Sequence, residues 1–367
     1  MIVMKNIALS LVLCATTGLN GAGANEAIEL RRKDLLHKDD GVEQMKSDIS
    51  GLAQKGLDSL EWGLLIEAEG SYAESGGGND SDLTLATVEF VLDAAVNDWI
   101  HGHLGLLWEE DDTESDNLDE AYIEIGGSKD YPYYFVAGRF YLPFGNFESA
   151  FISDPLTLEL AEIRQSSAMA GIGNEWIELN AGAFKGDVDK DEEEDDNISD
   201  FYASVTYTPS EYFQCGAYWL SDLMETDSQS DFGDDVAQLD GYDKQGGAGA
   251  FANVFIGPFM FNAEYASALD SYDVAGGSYL PMAFNLEASM QFAEKWRTGL
   301  TFQGSDDLYA AHEDDVFGDK YPGRAYGAVV SYGLHENVTV SAEYLHLEDL
   351  DDGEDGDLVT LQLALEI

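Results

Sequence analysis

Cysteine is almost absent from this chain: of 367 residues only Cys14 and Cys215 carry a thiol. Cys14 lies in an apolar amino-terminal stretch with the marks of a secretory signal, so one thiol would remain after processing and an internal disulfide framework is excluded. Positive charge is equally scarce. Lys and Arg number 17 against 72 Asp and Glu, for a formal net charge of −55. A surface so negative repels phosphate backbones, which excludes nucleic acid as a partner. Beyond the signal there is no run of about 18 apolar residues, so no membrane-spanning helix is expected. Proline is rare at 7. Neither a P-loop, an H-E-x-x-H pair nor a G-x-S-x-G elbow occurs, so the sequence gives no ground for an enzyme or a bound cofactor.

What is present is glycine, aromatic residues and alternation. Residues 1–24 contain Lys5, an apolar core from Ile7 to Leu13, and Ala22-Gly23-Ala24 as a cleavage site. Residues 25–58 hold much of the positive charge and repeat Ile28, Leu35, Val42 and Ile49 every seventh position. That spacing suits a short periplasmic helical or coiled-coil segment, or a lone amphipathic tether.

From residue 59 onward the period is two. Strands of about ten residues alternate between short turns and long acidic loops, the pattern of a transmembrane barrel. Sixteen strands are expected, with long connections at 73–82, 110–117, 142–166, 186–199, 222–244, 270–278, 305–323 and 348–357. Ala86, Val88, Phe90, Leu92 and Ala94 form one face, and Thr87, Glu89 and Asp93 the other. A slip of one residue would push the acids into lipid, so the register is fixed. Six of seven short turns are followed by Trp, Tyr or Phe, as at Asn97-Asp98-Trp99 and Glu294-Lys295-Trp296. Such aromatics settle at a membrane–water interface. The expected class is therefore an all-β, closed antiparallel barrel of about sixteen strands over 59–367, in a bacterial outer membrane. Its partners would be membrane lipid and a small solute, with a homotrimer left open.

A barrel this wide leaves room for an aqueous passage. The connection 142–166 mixes apolar anchors with charge, and folded inward it would narrow that passage. Asp154, Glu159, Glu162 and Arg164 are its candidate constriction residues, with Arg139 expected on the lumen side of the preceding strand. An ordered outer loop is the alternative. His101 and His103 share a strand face and form a weak metal pair without a third ligand. Asp187 to Asp196 resembles a calcium loop only loosely, because Glu192 stands where that motif wants glycine.

Gly138-Arg139-Phe140-Tyr141-Leu142-Pro143-Phe144-Gly145-Asn146-Phe147-Glu148, then Ile152-Ser153-Asp154-Pro155-Leu156-Thr157-Leu158-Glu159-Leu160, resembles the LbtU family of siderophore porins. The block around Pro143, Phe144, Gly145, Asn146, Asp154 and Pro155 is its specific part. The resemblance implies uptake of an iron–siderophore complex through a barrel without a plug domain. No ligand contacts are carried over from it. A general cation-preferring porin and a non-transport structural or adhesive barrel are the competing readings.

Overall fold

In the computed structural model the described residues are 59–76, 78–110, 117–128, 131–186, 188, 197–229, 244–274, 277–308, 321–350 and 354–367. The signal at 1–24, the segment 25–58 and almost all of the acidic run 187–196 lie outside them.

Among the described residues there are eighteen strands. They are β1 (Ser59–Ser75), β2 (Gly78–Asn97), β3 (Ile100–Trp108), β4 (Leu118–Ser128), β5 (Tyr131–Tyr141), β6 (Arg164–Gly173), β7 (Ile177–Phe184), β8 (Asp200–Ser210) and β9 (Phe213–Leu220). There follow β10 (Gly247–Ile256), β11 (Phe259–Ala268), β12 (Tyr272–Val274), β13 (Gly277–Tyr279), β14 (Met282–Ala293), β15 (Trp296–Asp306), β16 (Arg324–His335), β17 (Val338–Glu348) and β18 (Gly356–Glu366). All but β12 and β13 close into one barrel, in which β1 pairs with both β2 and β18 and every neighbour is antiparallel. The seam is tied at Leu64 and Ile367, whose backbone N–H and C=O groups exchange two bonds of 2.9 Å. Closure leaves no unpaired edge.

The sixteen barrel strands are those the alternation predicts. The connections differ in two places. The expected loop 73–82 is largely strand, because β1 and β2 stay paired up to Ser75 opposite Gly78. Alternation fades there, since Asp80, Ser81 and Asp82 stand clear of the apolar band, but the backbone ladder continues without it. The loop 270–278 carries the small β12–β13 hairpin, and the Tyr272 hydroxyl donates to Asp222 at 2.9 Å.

Cross-strand partners share a face, so the register sorts inside from outside. Ile123, Phe135, Leu300, Tyr344 and Leu361 are exposed and point outward. Thr87, Glu124, Glu343 and Thr360, at the intervening positions, are buried and point inward. At the short-turn end Trp99, Tyr133, Trp176, Tyr212, Phe259 and Trp296 are exposed. Trp99, Trp176 and Tyr212 belong to the turns rather than to the first strand position. All six flank short turns at one end of the barrel, where aromatic residues suit a membrane–water interface.

On the inner wall, four glycines face an aromatic ring directly across the ladder. Gly171 pairs with Tyr134, Gly182 with Tyr202, Gly216 with Phe251 and Gly249 with Tyr218. In each case an added Cβ would overlap the ring. The missing side chain lets the ring lie flat on the wall, where it covers the glycine backbone. Gly182→Ala should therefore push Tyr202 off the wall, break its 2.9 Å hydroxyl bond with Ser167 Oγ, and cost about 1–3 kcal/mol by overpacking. The check is a lower temperature of conversion from folded to unfolded mobility in gel electrophoresis. Gly78→Ala, where a Cβ meets nothing, should leave that temperature unchanged.

Candidate functional site

The connection between β5 and β6 begins at Leu142 and ends at Ile163, since β6 starts at Arg164. Its hydrogen-bond partners lie across the barrel. The N–H groups of Asn146 and Phe147 donate to Glu264 Oε1 and Oε2 of β11, at 2.8 and 2.9 Å. Ser149 Oγ and the Ala150 N–H donate to Glu287 of β14, both at 2.8 Å. The Ile152 and Ser153 N–H groups donate to Glu343 Oε2 of β17, at 2.5 and 3.2 Å. The Leu156 N–H donates to Gln303 Oε1 of β15 at 2.8 Å. A segment rooted at β5 and β6 can touch β11, β14, β15 and β17 together only through the lumen. The expectation of an inward fold is met in this geometric sense.

Each clasp has a physical reason. The segment is irregular, and its N–H groups have no ladder partner. A carboxylate offers two acceptor oxygens, so it satisfies two adjacent donors at once. Gly145 is required at its place: its φ of +139° is rare for other residues, and the Phe147 ring packs where a Cβ would project. Pro155 precedes the short helix α1 (Leu156–Ala161), where a residue without an N–H costs nothing. Gln303 then takes the first helical N–H.

Apolar packing completes the seat. Phe144, Leu156, Leu160, Ala161 and Ile163 join Tyr202, Tyr218 and Phe251 of the β8–β10 wall in one buried cluster. Phe144 meets Tyr218 edge to face at 4.9 Å. The Tyr218 hydroxyl donates to Glu264 at 2.8 Å, which couples the aromatic wall to the first clasp. Further along, Phe151 packs with Val329 and Leu345 on the inner faces of β16 and β17.

The expected constriction residues do not form one ring. Asp154 and Glu159 lie on the inward segment. Glu159 Oε2 accepts from the Tyr321 hydroxyl at 2.7 Å, and burial pushes its carboxyl up to about 7 against that bond. Burial, then Glu159 and Asp154, hold the Tyr321 hydroxyl well above the usual phenol range. Glu162 and Arg164 sit where the segment rejoins the wall. Burial, then the Asp227, Asp119 and Glu159 carboxylates, hold Glu162 well above the usual carboxylate range, with Arg164 opposing. Arg164 pairs with Asp119, which also accepts from the Tyr141 hydroxyl at 3.1 Å. Its guanidinium lies 5.7 Å from the Tyr141 ring centre. Arg164 is thus a rivet at the foot of the segment.

Arg139 is not on the lumen side. It pairs with Ala121 and Ser166, while the alternate Gly138 and Phe140 pair with the inward Tyr122, Ser167 and Gln165. Steps of two from the exposed Tyr133 lead to 135, 137 and 139, all outward. Charge suggested the lumen; parity decides otherwise.

His103 does face inward, as does His101. Its Nδ1 lies 2.7 Å from Asp93 and its Nε2 3.6 Å from Glu120, and its ring stacks on Tyr122 at 4.8 Å. Among the described residues no group of three or more His, Cys, Asp or Glu is placed to hold a metal ion. His103 belongs to a wall network with Asp93, Glu120 and Tyr122.

No family model matches the chain. It is similar to a UPF0422 protein of Coxiella burnetii, 24% identical over 299 residues that cover 77% of this chain and 62% of the relative. It is also similar to a UPF0422 protein of Legionella pneumophila strain Lens, 30% identical over 100 residues, or 25% of this chain and 19% of the relative. The chain thus spans less than two thirds of the length of these curated relatives. Among solved structures it resembles the outer-membrane channel DcaP of Acinetobacter baumannii, with TM-score 0.59 and 15% identity over 84% of this chain and 97% of that one. OmpF of Salmonella typhi gives TM-score 0.59 and 14% identity over 86% and 99%. An anion-selective porin of Comamonas acidovorans gives 0.58 and 10% over 84% and 99%. At these identities the likeness shows the fold alone, and that fold is the closed barrel of outer-membrane porins.

Proposed function

We propose that the protein is an outer-membrane channel for small solutes, narrowed by the segment 142–163. The observation that carries this reading is the segment's path: it crosses the lumen and is clasped by Glu264, Glu287 and Glu343 on the far side. A packed adhesive or structural barrel has no need of a braced inner segment. The net charge of −55 and the scarcity of Lys and Arg support a preference for cations. The fold does not set that sign, since one porin of similar fold is named as anion-selective.

In a planar bilayer under a KCl gradient, the reversal potential should show potassium permeating more readily than chloride. Clear anion preference would reject the reading. The finer reading, uptake of an iron–siderophore complex, is supported by the resemblance at Gly138 to Leu160. Labelled ferric siderophore should then enter cells that carry the protein faster than cells that lack it. Equal entry removes that cargo and leaves the channel.

A further inference from the structure

Acids far outnumber bases in this chain, yet one exposed guanidinium has no carboxylate. Arg324 opens β16 at its long-loop end. Its direct neighbour on β17 is Glu348, but among the described residues no carboxylate pairs with Arg324. Glu348 Oε1 accepts instead from the Tyr326 hydroxyl at 3.2 Å. Arg324 turns the other way, across β15, and its guanidinium lies 5.7 Å from the centre of the Phe284 ring of β14. Gly304 of β15 makes that reach possible. It pairs with Phe284 across the ladder, and a Cβ there would lie 2.8 Å from the ring and 3.1 Å from Arg324 Cδ. The bare position lets the arginine stem lie flat on the wall. One guanidinium N–H donates to the Gly323 carbonyl, and the rest of the fork is left to an outside acceptor.

The level of this cation on the barrel says what faces it. Phe302, Tyr326 and Tyr344 are exposed on the outward face of β15, β16 and β17. Gly304 is two residues beyond Phe302 on that face and eight beyond Trp296 of the short-turn end. At about 3.4 Å per residue and a tilt of about 40°, eight residues climb roughly 21 Å, close to the far edge of an apolar band about 25 Å tall. Long connections of such barrels lie outside the cell. Arg324 therefore stands at the headgroup level of the outer leaflet, with Phe302, Tyr326 and Tyr344 on its membrane side. The nearby acids of this face are Glu348, Asp306 and Asp357. Asp357 accepts from the Tyr344 hydroxyl at 2.6 Å and lies 2.8 Å from His346 Nδ1. Asp306 ends β15, one outward step past Gly304.

We propose that Arg324, held over Phe284 across the bare Gly304, docks the phosphate of an outer-leaflet glycolipid whose acyl chains lie along Phe302, Tyr326 and Tyr344. A guanidinium fork matches phosphate oxygens in pairs, and the aromatic face beneath keeps it oriented. The docking does not depend on the channel reading.

The test uses the purified full processed chain in detergent, with diphosphoryl lipid A as probe and native mass spectrometry as readout. The parent should retain the lipid. Arg324→Gln should weaken retention about tenfold or more, through loss of a charge-assisted contact. Lys295→Gln, at the opposite rim, should bind as the parent does. Gly304→Ala keeps the charge but lifts it from the ring, and should weaken binding as well. Lipid A stripped of its phosphates should not distinguish the parent from Arg324→Gln. Equal retention by the parent and Arg324→Gln would overturn the proposal. So would displacement by inorganic phosphate at the concentration of the lipid, which would mark a site for the free ion. Parent-like binding by Gly304→Ala would show that the pinned geometry is not what holds the lipid, and would overturn it too.

Discussion

Replacing Glu264 with alanine is expected to raise single-channel conductance several-fold and to make it fluctuate. Glu264 accepts from the Asn146 and Phe147 N–H groups, from the Tyr218 hydroxyl and, at 3.5 Å, from the Thr157 hydroxyl. It is buried, so water cannot readily replace it. Each donor left without an acceptor costs about 1–3 kcal/mol, and four are released together. Near Asn146 the segment keeps only the bonds from Asn253 Nδ2 to Asn146 Oδ1 at 3.4 Å and from Asn262 Nδ2 to the Glu148 carbonyl at 2.8 Å among the described residues, and Phe144 would lose the ring it packs on as Tyr218 shifts. The apolar seat around Leu156 and Leu160 remains, so the expected state is a segment hinged at α1 and loose at its leading end. Glu287→Gln should act in the same direction and more weakly, since the amide keeps one acceptor oxygen. The measurement is conductance of purified protein in a planar bilayer, with circular dichroism to show that β content is retained. Conductance and noise equal to the parent in Glu264→Ala would mean that the segment does not restrict the passage.

The wall was legible in the sequence because its cause is local. Alternation in β2 and β18, and aromatics beside the tight turns, follow from a membrane on one side and water on the other. Both are visible in a window of ten residues. The clasps were not legible. Glu264 and Glu287 read only as inward acids of their strands, and nothing in either strand names the donors, which lie more than a hundred residues earlier. Parity could have predicted that buried carboxylates face the lumen. Their pairing with Asn146 or Ala150 depends on barrel closure and on where a loop comes to rest. Arg139 shows the opposite error. Its charge drew it to the lumen, although the parity of Tyr133 and Phe135 was already sufficient to place it outside. The Gly–aromatic pairs of β5–β10 fall between these cases. Inward glycines opposite Tyr or Phe can be listed once the register is known, but the register of an antiparallel pair is itself set by turns and bulges such as the one between Tyr207 and Ser210.

Leu300→Arg should prevent stable insertion of the barrel, whereas Thr339→Arg should be tolerated. Leu300 is 64% exposed on the outward face of β15, four residues beyond the interfacial Trp296, and its cross-strand partners are Ala288 and Ala328. An arginine near the bilayer midplane costs about 2–4 kcal/mol. Thr339 lies on the inward face of β17, opposite Gly333 and Ala364. A cation there meets water and carboxylates, and should reduce the preference for potassium without affecting assembly. Native Arg139 gives the scale of the difference. It too is outward, but only two residues from the outer end of β5, where the same penalty falls to about 0–1 kcal/mol. Position along the strand thus decides whether a charge on that face is harmless or disruptive. Folding into phospholipid vesicles, followed by band shift and protease protection, reads the outcome. If Leu300→Arg folds as efficiently as the parent, β15 does not face lipid and the membrane-spanning barrel is wrong. If both variants fail, the inward face of β17 has no water to offer and the passage is wrong.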